Sequence, residues 1–351
     1  MTPSQRLARQ AERHEMSLAT SAEEADLIIR GDHIYGTALF AALSEAAPGT
    51  VLTDDLGRAM AARCDDLSRD WALALLDHDM PSAALPAQAT GQNPMDLAGQ
   101  HNARQRKKAP PLLRRAANRK DVEQALFDDS YKGVTDLVTK HLWPPLALPA
   151  TRWCALNGIT PNQVTYVGAA LVVAAFVLFW HGLFALGLIA AWVMTFLDTV
   201  DGKLARVTLQ SSRIGDVMDH GIDLIHPPFW YWAWAVGCAA IGDPMGDGGW
   251  TLGIIVVGYI LQRIEEGVFL SLFGMEIHVW RRFDSLFRQV TARRNPNMLI
   301  LTLAAMLGAP REGLIVVAAW TALCFLVHLA RIGQAFAARR NGPLISWLAE
   351  A

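Results

Sequence analysis

The sequence has few cysteines and no surplus of basic residues, and both shortages exclude classes of protein. Its four cysteines in 351 residues are scattered, without the paired spacing of a zinc site or the density of a disulfide framework. The formal net charge is −2, whereas a nucleic-acid-binding domain normally carries a basic surplus. We therefore predict ordinary thiols and no nucleic-acid partner.

The N-terminus lacks the apolar core of a secretory signal, so we predict that the first region stays in the cytosol. Composition changes abruptly near residue 160, where long apolar segments begin. We predict three parts: a cytosolic α/β region with its linker at 1–110, basic juxtamembrane and interfacial helices at 111–160, and a transmembrane domain at 161–340. The predicted fold class is mainly α, preceded by a small α/β domain.

Six apolar segments follow residue 160, and with their flanks most approach the roughly 20 residues that cross a bilayer. They cover residues 164–180, 183–197, 222–241, 252–273, 298–307 and 314–329. Lys and Arg concentrate in every second loop, around 203–213 and 281–294, and such loops stay in the cytoplasm. We predict a six-helix bundle in a bacterial-type inner membrane, with both termini and the loop after the second helix on the cytoplasmic side.

Four carboxylates lie at the edges of these apolar segments: Asp198, Asp201, Asp219 and Asp223. The first two are three residues apart and the last two are four apart, so on helices each pair shares one face. Small and polar residues at 202–218 can turn the chain so that the two faces oppose each other. Charge at a membrane boundary is costly, which indicates that the converging carboxylates serve a cation or a reaction.

A bare cluster of carboxylates would repel itself, and hard cations that prefer oxygen ligands would neutralise it. Mg²⁺ or Mn²⁺ is therefore the predicted cofactor. Because Mg²⁺ is commonly held by carboxylates together with substrate phosphates, a diphosphate is the natural ligand. Gly202 and Ala205 would let it approach the helix backbone, and Arg206 offers a fork of donors to a phosphate.

The spacing D-x-x-D-G-x-x-A-R-x8-G-x3-D-x3-D, from Asp198 to Asp223, resembles the signature of the CDP-alcohol phosphotransferase family, integral membrane enzymes of phospholipid synthesis. Every signature position is filled. The segment that starts at Thr160-Pro161-Asn162 resembles the T-P-N-x-x-T element that precedes the first membrane helix in that family and lies near the nucleotide. On local grounds alone, Thr160 is an N-cap with Pro161 at the first helical position.

The resemblance implies a role for each signature residue. Asp198, Asp201 and Asp219 would hold two metal ions, or one with a second carried in by the substrate. Asp223 would join this metal set and act as the general base towards the acceptor hydroxyl. The metals would stabilise the charge that develops on CMP, the leaving group. The residues expected to bind the donor are Asn162, Asp201, Gly202, Ala205, Arg206 and Gly215.

Charged residues further along the chain have two interpretations each. Arg263, Glu265 and Glu266 lie inside the fourth apolar segment, where they form a polar wall of the acceptor pocket or a structural ion pair. The arginines at 281–294 hold an acceptor phosphate or reflect topology alone. The acceptor-binding candidates are Arg213, Arg263 and Arg281.

The signature leaves the substrate pair open. Donors in the resembled family include CDP-diacylglycerol, with glycerol phosphate, inositol, inositol phosphate or serine as acceptor. CDP-choline, CDP-ethanolamine and CDP-inositol also occur, with a lipid or polyol alcohol as acceptor. The predicted partners are a CDP-linked donor, an alcohol or polyol acceptor, membrane lipids and a second copy of the chain. The alternatives are a CDP-inositol-dependent inositol phosphate transferase, a transporter and a non-enzymatic membrane scaffold.

Before residue 160, the pattern at 27–53 predicts a strand, a helix and a strand in one βαβ unit. The loop that contains Asp32 and His33 resembles the metal-binding region of sugar-type nucleotidyltransferases, which are fused to some family members, and this favours an inositol-type head group. No glycine-rich phosphate loop precedes Leu27. The alternative is that Asp32 and His33 cap a helix. Residues 131–158 predict an interfacial helix interrupted at Pro144.

Overall fold

The computed structural model describes residues 2–21, 24–65, 68–77, 85–104, 106–210 and 213–349. The chain divides into two compact units. The first contains residues 1–133 and 206–209, and the second contains residues 134–205 and 210–351.

The first unit is a small α/β fold. Its strands are β1 (Leu27–Ile29), β2 (His33–Tyr35), β3 (Thr50–Thr53), β4 (Ala59–Arg63), β5 (Thr90–Gln92) and β6 (Leu113–Arg115). Its helices are α1 (Pro3–Arg13), α2 (Thr37–Glu45), α3 (Arg69–Asp77), α4 (Pro94–Arg104) and α5 (Arg119–Asp129). A four-stranded sheet has the order β1-β4-β3-β5, and β2 pairs with β6 separately. The core includes Tyr35, Leu39, Leu43, Leu52 and Met60, all fully buried.

The predicted strand, helix and strand are present as β1, α2 and β3, but β4 lies between the two strands. Both strands pair antiparallel with β4, so they run parallel to each other without touching. The sequence of β4, Ala-Met-Ala-Ala-Arg, has no β-branched residue and therefore gives no strand signal. Tertiary burial, with Met60 and Ala61 fully covered, fixes the strand instead.

Asp32 and His33 do not cap a helix. Helix α2 begins after Gly36, which makes no side-chain capping bond, and His33 opens strand β2. The Asp32 carboxylate instead contacts His33 Nδ1 at 2.7 Å, Arg30 at 3.4 Å and Arg115 at 3.5 Å. Burial alone would raise the pKa of Asp32, but His33 and Arg30 lower it below its ordinary value.

The second unit consists of helices. A π-helical turn at Val138–Leu142 is followed by α6 (Pro144–Leu156), α7 (Pro161–Trp180), α8 (Phe184–Thr208), α9 (Arg213–Ala240), α10 (Trp250–Phe273), a 3-10 turn (Ile277–Val279), α11 (Arg282–Phe287), α12 (Arg294–Met306) and α13 (Pro310–Arg339). Among the described residues three helices, α7, α8 and α13, are long and apolar enough to cross a membrane. The mainly α class with a small α/β region before it is confirmed.

The predicted helix start at Thr160 is confirmed. Thr160 accepts a hydrogen bond from the Gln163 backbone and Gln163 returns one to Thr160, with Pro161 at the first helical position. Helix α6 begins at Pro144, so the proline pair starts a helix where an interruption was predicted.

Helices α7 and α9 approach closely at their ends. Trp230 Nε1 of α9 donates to the carbonyl oxygen of Val172 on α7 at 3.0 Å. Gly237 lies so near the end of α7 that a Cβ on it would be 1.9 Å from the Phe179 carbonyl oxygen. A small residue at this crossing is what lets the two backbones meet.

The segment after α13 packs back onto the loop between α10 and α12. Trp347 donates its backbone N–H to the carbonyl oxygen of Trp280 at 3.2 Å and its Nε1 to Ser285 Oγ at 2.8 Å. Leu348 is buried against Val134 and Val279. These contacts order the loop that leads into α12. All four cysteines are free and buried, which confirms that they are ordinary thiols.

Candidate active site

The carboxylates of the signature lie on two consecutive helices. Asp198 and Asp201 are on α8, and Asp223 is on α9. The predicted turn at 202–218 is wrong in length, because α8 continues to Thr208 and α9 begins at Arg213. Residues Lys203 and Leu204 are buried, and this burial supports the extra helical turns. The chain leaves α8 at Leu209, whose φ of 53° is left-handed.

Arg294 joins the first and last carboxylates of the signature. Its Nη2 donates to Asp198 Oδ2 at 2.5 Å, and its Nη1 donates to Asp223 Oδ1. Because a guanidinium presents its donors in a fixed planar fork, the two carboxylates must face the same small region. Arg294 is the first residue of α12, so three helices meet at this point.

Asp201 faces α7. Its Oδ2 accepts a hydrogen bond from the Thr165 hydroxyl at 2.8 Å, and only 5% of the residue is exposed. Asn162, the predicted donor-binding residue, lies three positions before Thr165 on the same helix and therefore on the same face. Residues of the T-P-N-x-x-T element and of the signature thus occupy one region of the unit.

Exposure separates the three carboxylates. The side chain of Asp223 is 41% exposed and that of Asp198 is 19% exposed, whereas Asp201 is almost fully buried. Asp223 is therefore the carboxylate most accessible to a reacting group.

Two of the predicted site residues have side chains outside the described part of the structure. Asp219 occupies a position in α9 one turn before Asp223, and Arg213 is the first residue of α9. Their helical placement agrees with the expected spacing, and their side chains are not described.

The residues expected to bind the donor lie on the same helices. Gly202, Ala205 and Arg206 follow Asp201 along α8, and Gly215 is in the first turn of α9. Arg206 is exposed near the end of α8, whereas Gly202 and Ala205 are partly buried. The sequence therefore places a small-residue face and an exposed guanidinium on the helix that carries Asp198.

The acceptor candidates make other contacts. Arg263 pairs with Glu266 at 3.4 Å, so the ion pair that formed one of its two interpretations is present. Glu265 pairs with His328 at 3.5 Å. Arg281 is exposed, with its guanidinium 4.4 Å from the centre of the Trp280 ring.

Arg294 was not predicted as a partner of the signature carboxylates, because the sequence presents it only as one of the arginines at 281–294, which hold an acceptor phosphate or reflect topology alone. One signal marks it. Two consecutive arginines, Arg293 and Arg294, stand at the start of α12, where the helix dipole disfavours positive charge. Such a placement indicates carboxylate partners or an anion. Thr165 also went unassigned, although it is the last residue of the T-P-N-x-x-T element.

The chemistry of the donor set fits a hard divalent cation. Carboxylate oxygens are the ligands that Mg²⁺ and Mn²⁺ prefer, and Asp198 and Asp223 already converge on one cationic group. Among the described side chains, which do not include that of Asp219, no group of three or more His, Cys, Asp or Glu is arranged to hold a metal. His226 is packed against the Trp230 ring, with the ring centres 4.5 Å apart.

Part of the second unit is similar to known proteins. Residues 158–327 match the CDP-alcohol phosphatidyltransferase family. A phosphatidylinositol phosphate synthase from Mycobacteroides abscessus is 32% identical over 93 residues, which is 26% of this chain and 42% of that protein. One from Streptomyces avermitilis is 31% identical over 113 residues, 32% of this chain and 46% of that protein.

An archaetidylinositol phosphate synthase from Pyrococcus horikoshii is 40% identical over 67 residues, 19% of this chain and 35% of that protein. The chain thus spans less than half the length of each of these curated relatives.

Proposed function

We propose that the chain, whose residues 158–327 match the CDP-alcohol phosphatidyltransferase family, is a membrane-embedded enzyme of phospholipid synthesis. It moves a substituted phosphate from a CDP-linked donor to an alcohol acceptor and releases CMP. The observation that carries this proposal is the meeting of Asp198 and Asp223, the first and last carboxylates of the signature, at Arg294. A chance array of acidic residues would not converge on one group from two helices.

In the proposed reaction the acceptor oxygen bonds to the phosphorus of the transferred group while the bond from phosphorus to CMP breaks. CMP leaves with the electron pair, and the hydroxyl proton passes to Asp223. The 41% exposure of this side chain suits contact with an acceptor. Direct attack needs no covalent enzyme intermediate.

Asp198, Asp201, Asp219 and Asp223 would hold the divalent cation, Mg²⁺ or Mn²⁺, with two ions as the working number. When bound, the cation would neutralise the diphosphate and stabilise the charge on CMP. The chain itself fixes the carboxylates: Thr165 holds Asp201, and Arg294 holds Asp198 and Asp223. Preorganised groups of this kind cost no rearrangement during the reaction.

The donor would lie along α8 and the start of α7. Gly202 and Ala205 allow a diphosphate close to the backbone, and the exposed Arg206 offers it a forked donor. The remaining residues assigned to the donor are Asn162, Asp201 and Gly215. The residues assigned to the acceptor are Arg213, Arg263 and Arg281.

The substrate pair that we favour is a CDP-linked lipid and an inositol phosphate. The three relatives support it, since their names describe two phosphatidylinositol phosphate synthases and an archaetidylinositol phosphate synthase. CDP-inositol with an inositol phosphate is the second pair to test, on the weaker ground of the nucleotidyltransferase-like loop at Asp32.

We also propose six membrane-crossing helices, α7, α8, α9, α10, α12 and α13. Helix α10, with 24 residues, is long enough at about 1.5 Å per residue to cross a hydrocarbon core of roughly 30 Å. Helix α12 has 13 residues and would cross only with its flanks. The site and both termini would face the cytoplasm, and the protein would form a homodimer. The division at residues 110 and 160 remains a prediction.

The test is CMP release by the purified full chain in mixed micelles with Mg²⁺ or Mn²⁺. CDP-diacylglycerol is tested as the donor with inositol phosphate, inositol, glycerol phosphate or serine as the acceptor. CDP-inositol, CDP-choline and CDP-ethanolamine are then tested one at a time as the donor in its place. Asp223→Asn should abolish release while the protein stays folded. Asp243→Asn is the matched control, because Asp243 lies in the loop after α9 and pairs only loosely with Arg311, at 3.9 Å.

Metal-dependent CMP release that Asp223→Asn removes and Asp243→Asn leaves would support the proposal and name the substrates. A folded protein that releases no CMP with any pair would favour the transporter or the scaffold. The two are then separated by whether ions move across proteoliposomes.

A further inference from the structure

Glu266 contacts two arginines and a histidine from three parts of the second unit. Its Oε2 lies 3.4 Å from Arg263 Nη1, one turn earlier on α10. Its Oε1 lies 3.1 Å from Nε2 of the buried His278, in the turn after α10, and also accepts from Arg293 Nη2. Glu266 therefore has three partners, whereas a surface ion pair has one, and only 21% of its side chain is exposed.

Arg293 is the residue that connects Glu266 to the site. It is the N-cap of α12, and its carbonyl oxygen accepts the backbone N–H of Asn297 at 3.0 Å, the first hydrogen bond of the helix. The next residue is Arg294, which reaches Asp198 and Asp223. The position of the Arg293 backbone therefore decides where the guanidinium of Arg294 can go.

The start of α12 needs this support. Two positive charges at a helix N-terminus face the positive end of the helix dipole, which is unfavourable. Each arginine is compensated by carboxylates of other helices, Arg293 by Glu266 of α10 and Arg294 by the site aspartates. Without Glu266, the repulsion between the helix dipole and the Arg293 guanidinium would be uncompensated and would move Arg293 away from the helix end.

We propose that Glu266 is a positioning residue of the active site. It holds Arg293 and with it the first turn of α12, so that Arg294 stays against Asp198 and Asp223. This inference deepens the proposed phosphotransferase function and rests on it for its kinetic consequence, but its structural consequence can be measured without turnover.

The adjacent glutamate supplies the control. Glu265 is also buried in α10, but its partner is His328 of α13 and it touches neither arginine in the contacts described. Glu265→Gln therefore removes a buried carboxylate from the same helix turn without releasing Arg293. Glu266→Gln keeps the side-chain shape and removes the charge that holds Arg293.

The first measurement is hydrogen exchange of the full chain in detergent, followed by mass spectrometry on peptides that contain Asn297, whose amide makes the first hydrogen bond of α12, and Met298. Glu266→Gln should speed exchange of these amides by at least about tenfold, since local opening free energies are small at helix ends. Glu265→Gln should leave them near wild type. Unchanged exchange in Glu266→Gln overturns the inference, whatever the activity of the protein.

The second measurement is a double-mutant cycle on kcat. Glu266→Gln and Arg293→Gln should each lower kcat by about tenfold, and the double variant should lose about the same factor, because residues that act through one contact are not additive. Independent roles of Glu266 and Arg293 would multiply the two losses to about a hundredfold, and that result would overturn the inference. A wild type with no turnover but with the expected exchange pattern would refute the proposed function and leave the positioning intact.

Discussion

Arg294 contributes one positive charge to two carboxylates, so the cluster of Asp198, Asp223 and Arg294 keeps an excess negative charge. Oppositely charged groups buried together are costly to separate, because removal of one partner leaves an uncompensated charge. The excess also leaves the cluster attractive to a further cation. Both the stability of the site and its chemistry therefore depend on Arg294.

Replacement of Arg294 by Ala should therefore harm both. We expect a loss of about 3 kcal/mol in the free energy of unfolding, as for other broken buried pairs. We expect CMP release to fall by about a hundredfold or more, as when a preorganised electrostatic group is removed. Arg294→Lys should recover part of the stability but little activity, because an ammonium cannot bridge both carboxylates in a planar fork.

The control for this prediction is Arg311→Ala, at the start of α13, where the guanidinium lies 3.9 Å from Asp243 and Glu312. Arg311 is half-buried and also donates to the Met245 carbonyl oxygen at 3.3 Å, so Arg311→Ala should lower thermal stability in detergent by only about 1 kcal/mol. Equal losses in the two variants would contradict a special role for Arg294.

The spacing of residues in the sequence predicted only part of the site. Asp198, Asp201 and Asp223 were found from spacing, because the helical period fixes which positions share a face. Arg294 was not, because its partners lie on helices far away in sequence and only tertiary packing brings them together. For the same reason Asp201 was expected among its fellow carboxylates, whereas it faces Thr165.

At the scale of single elements, the β3–β4 hairpin depends on one carboxylate. Asp54 Oδ1 accepts the backbone N–H of Leu56 at 3.0 Å and of Arg58 at 2.8 Å, and Oδ2 accepts from the Arg58 guanidinium. Gly57 supplies the φ of 73° that the turn requires. Burial alone would raise the pKa of Asp54, but these hydrogen bonds lower it below its ordinary 3.8.

A lowered folded-state pKa means that the ionised carboxylate favours the folded turn. Its contribution is complete at pH values above the unfolded pKa and is lost as the pH falls through the folded one. Asp54→Asn should therefore destabilise the hairpin at pH 7 by about 1–2 kcal/mol, and the difference from wild type should shrink below about pH 3.8.

Hydrogen exchange of residues 50–63, corrected for the intrinsic rate at each pH, measures this difference. Asp55→Asn, at the exposed neighbouring position, is the control and should have no effect. A difference that persists unchanged at pH 3 would show that the Asp54 side chain acts by shape and not by charge.

The crossing of α7 and α9 provides a second test at this scale. Gly237→Ala places a methyl group against the carbonyl oxygen of Phe179, so backbone must move and we expect a loss of about 3 kcal/mol. Gly253, inside α10, has open space around its missing Cβ. Gly253→Ala should be neutral or stabilising by up to about 1 kcal/mol. Thermal unfolding in detergent compares them, and equal shifts would refute the close approach.

Element types were more predictable than element ends. Each apolar segment of the second unit is helical, because apolar runs of this length are longer than ordinary strands and form helices in a mainly α protein. The ends were misplaced where polar residues continue a helix, as in α8, which runs to Thr208 although a turn was predicted from residue 202. The Ala-rich strand β4 escaped prediction because its stability comes from burial and not from intrinsic preference.

At the scale of the whole molecule, the proposed orientation can be tested residue by residue. Gln210 lies between α8 and α9, and Pro244 lies between α9 and α10; both are exposed. If the positive loops face the cytoplasm, a membrane-impermeant maleimide added to intact spheroplasts should label Pro244→Cys and not Gln210→Cys. Permeabilised cells should show both. The reverse pattern would invert the proposed topology.

The buried cysteines make the native chain nearly silent to thiol reagents. All four are free and covered, and burial raises the pKa of Cys64 to about 11, so its reactive thiolate is scarce at neutral pH. A single introduced cysteine would therefore carry nearly all of the signal of a spin label or fluorophore, without a cysteine-free background and its repacking costs. Pairs of such labels on α8, α9 and α12 could report the distances between these helices as substrates bind.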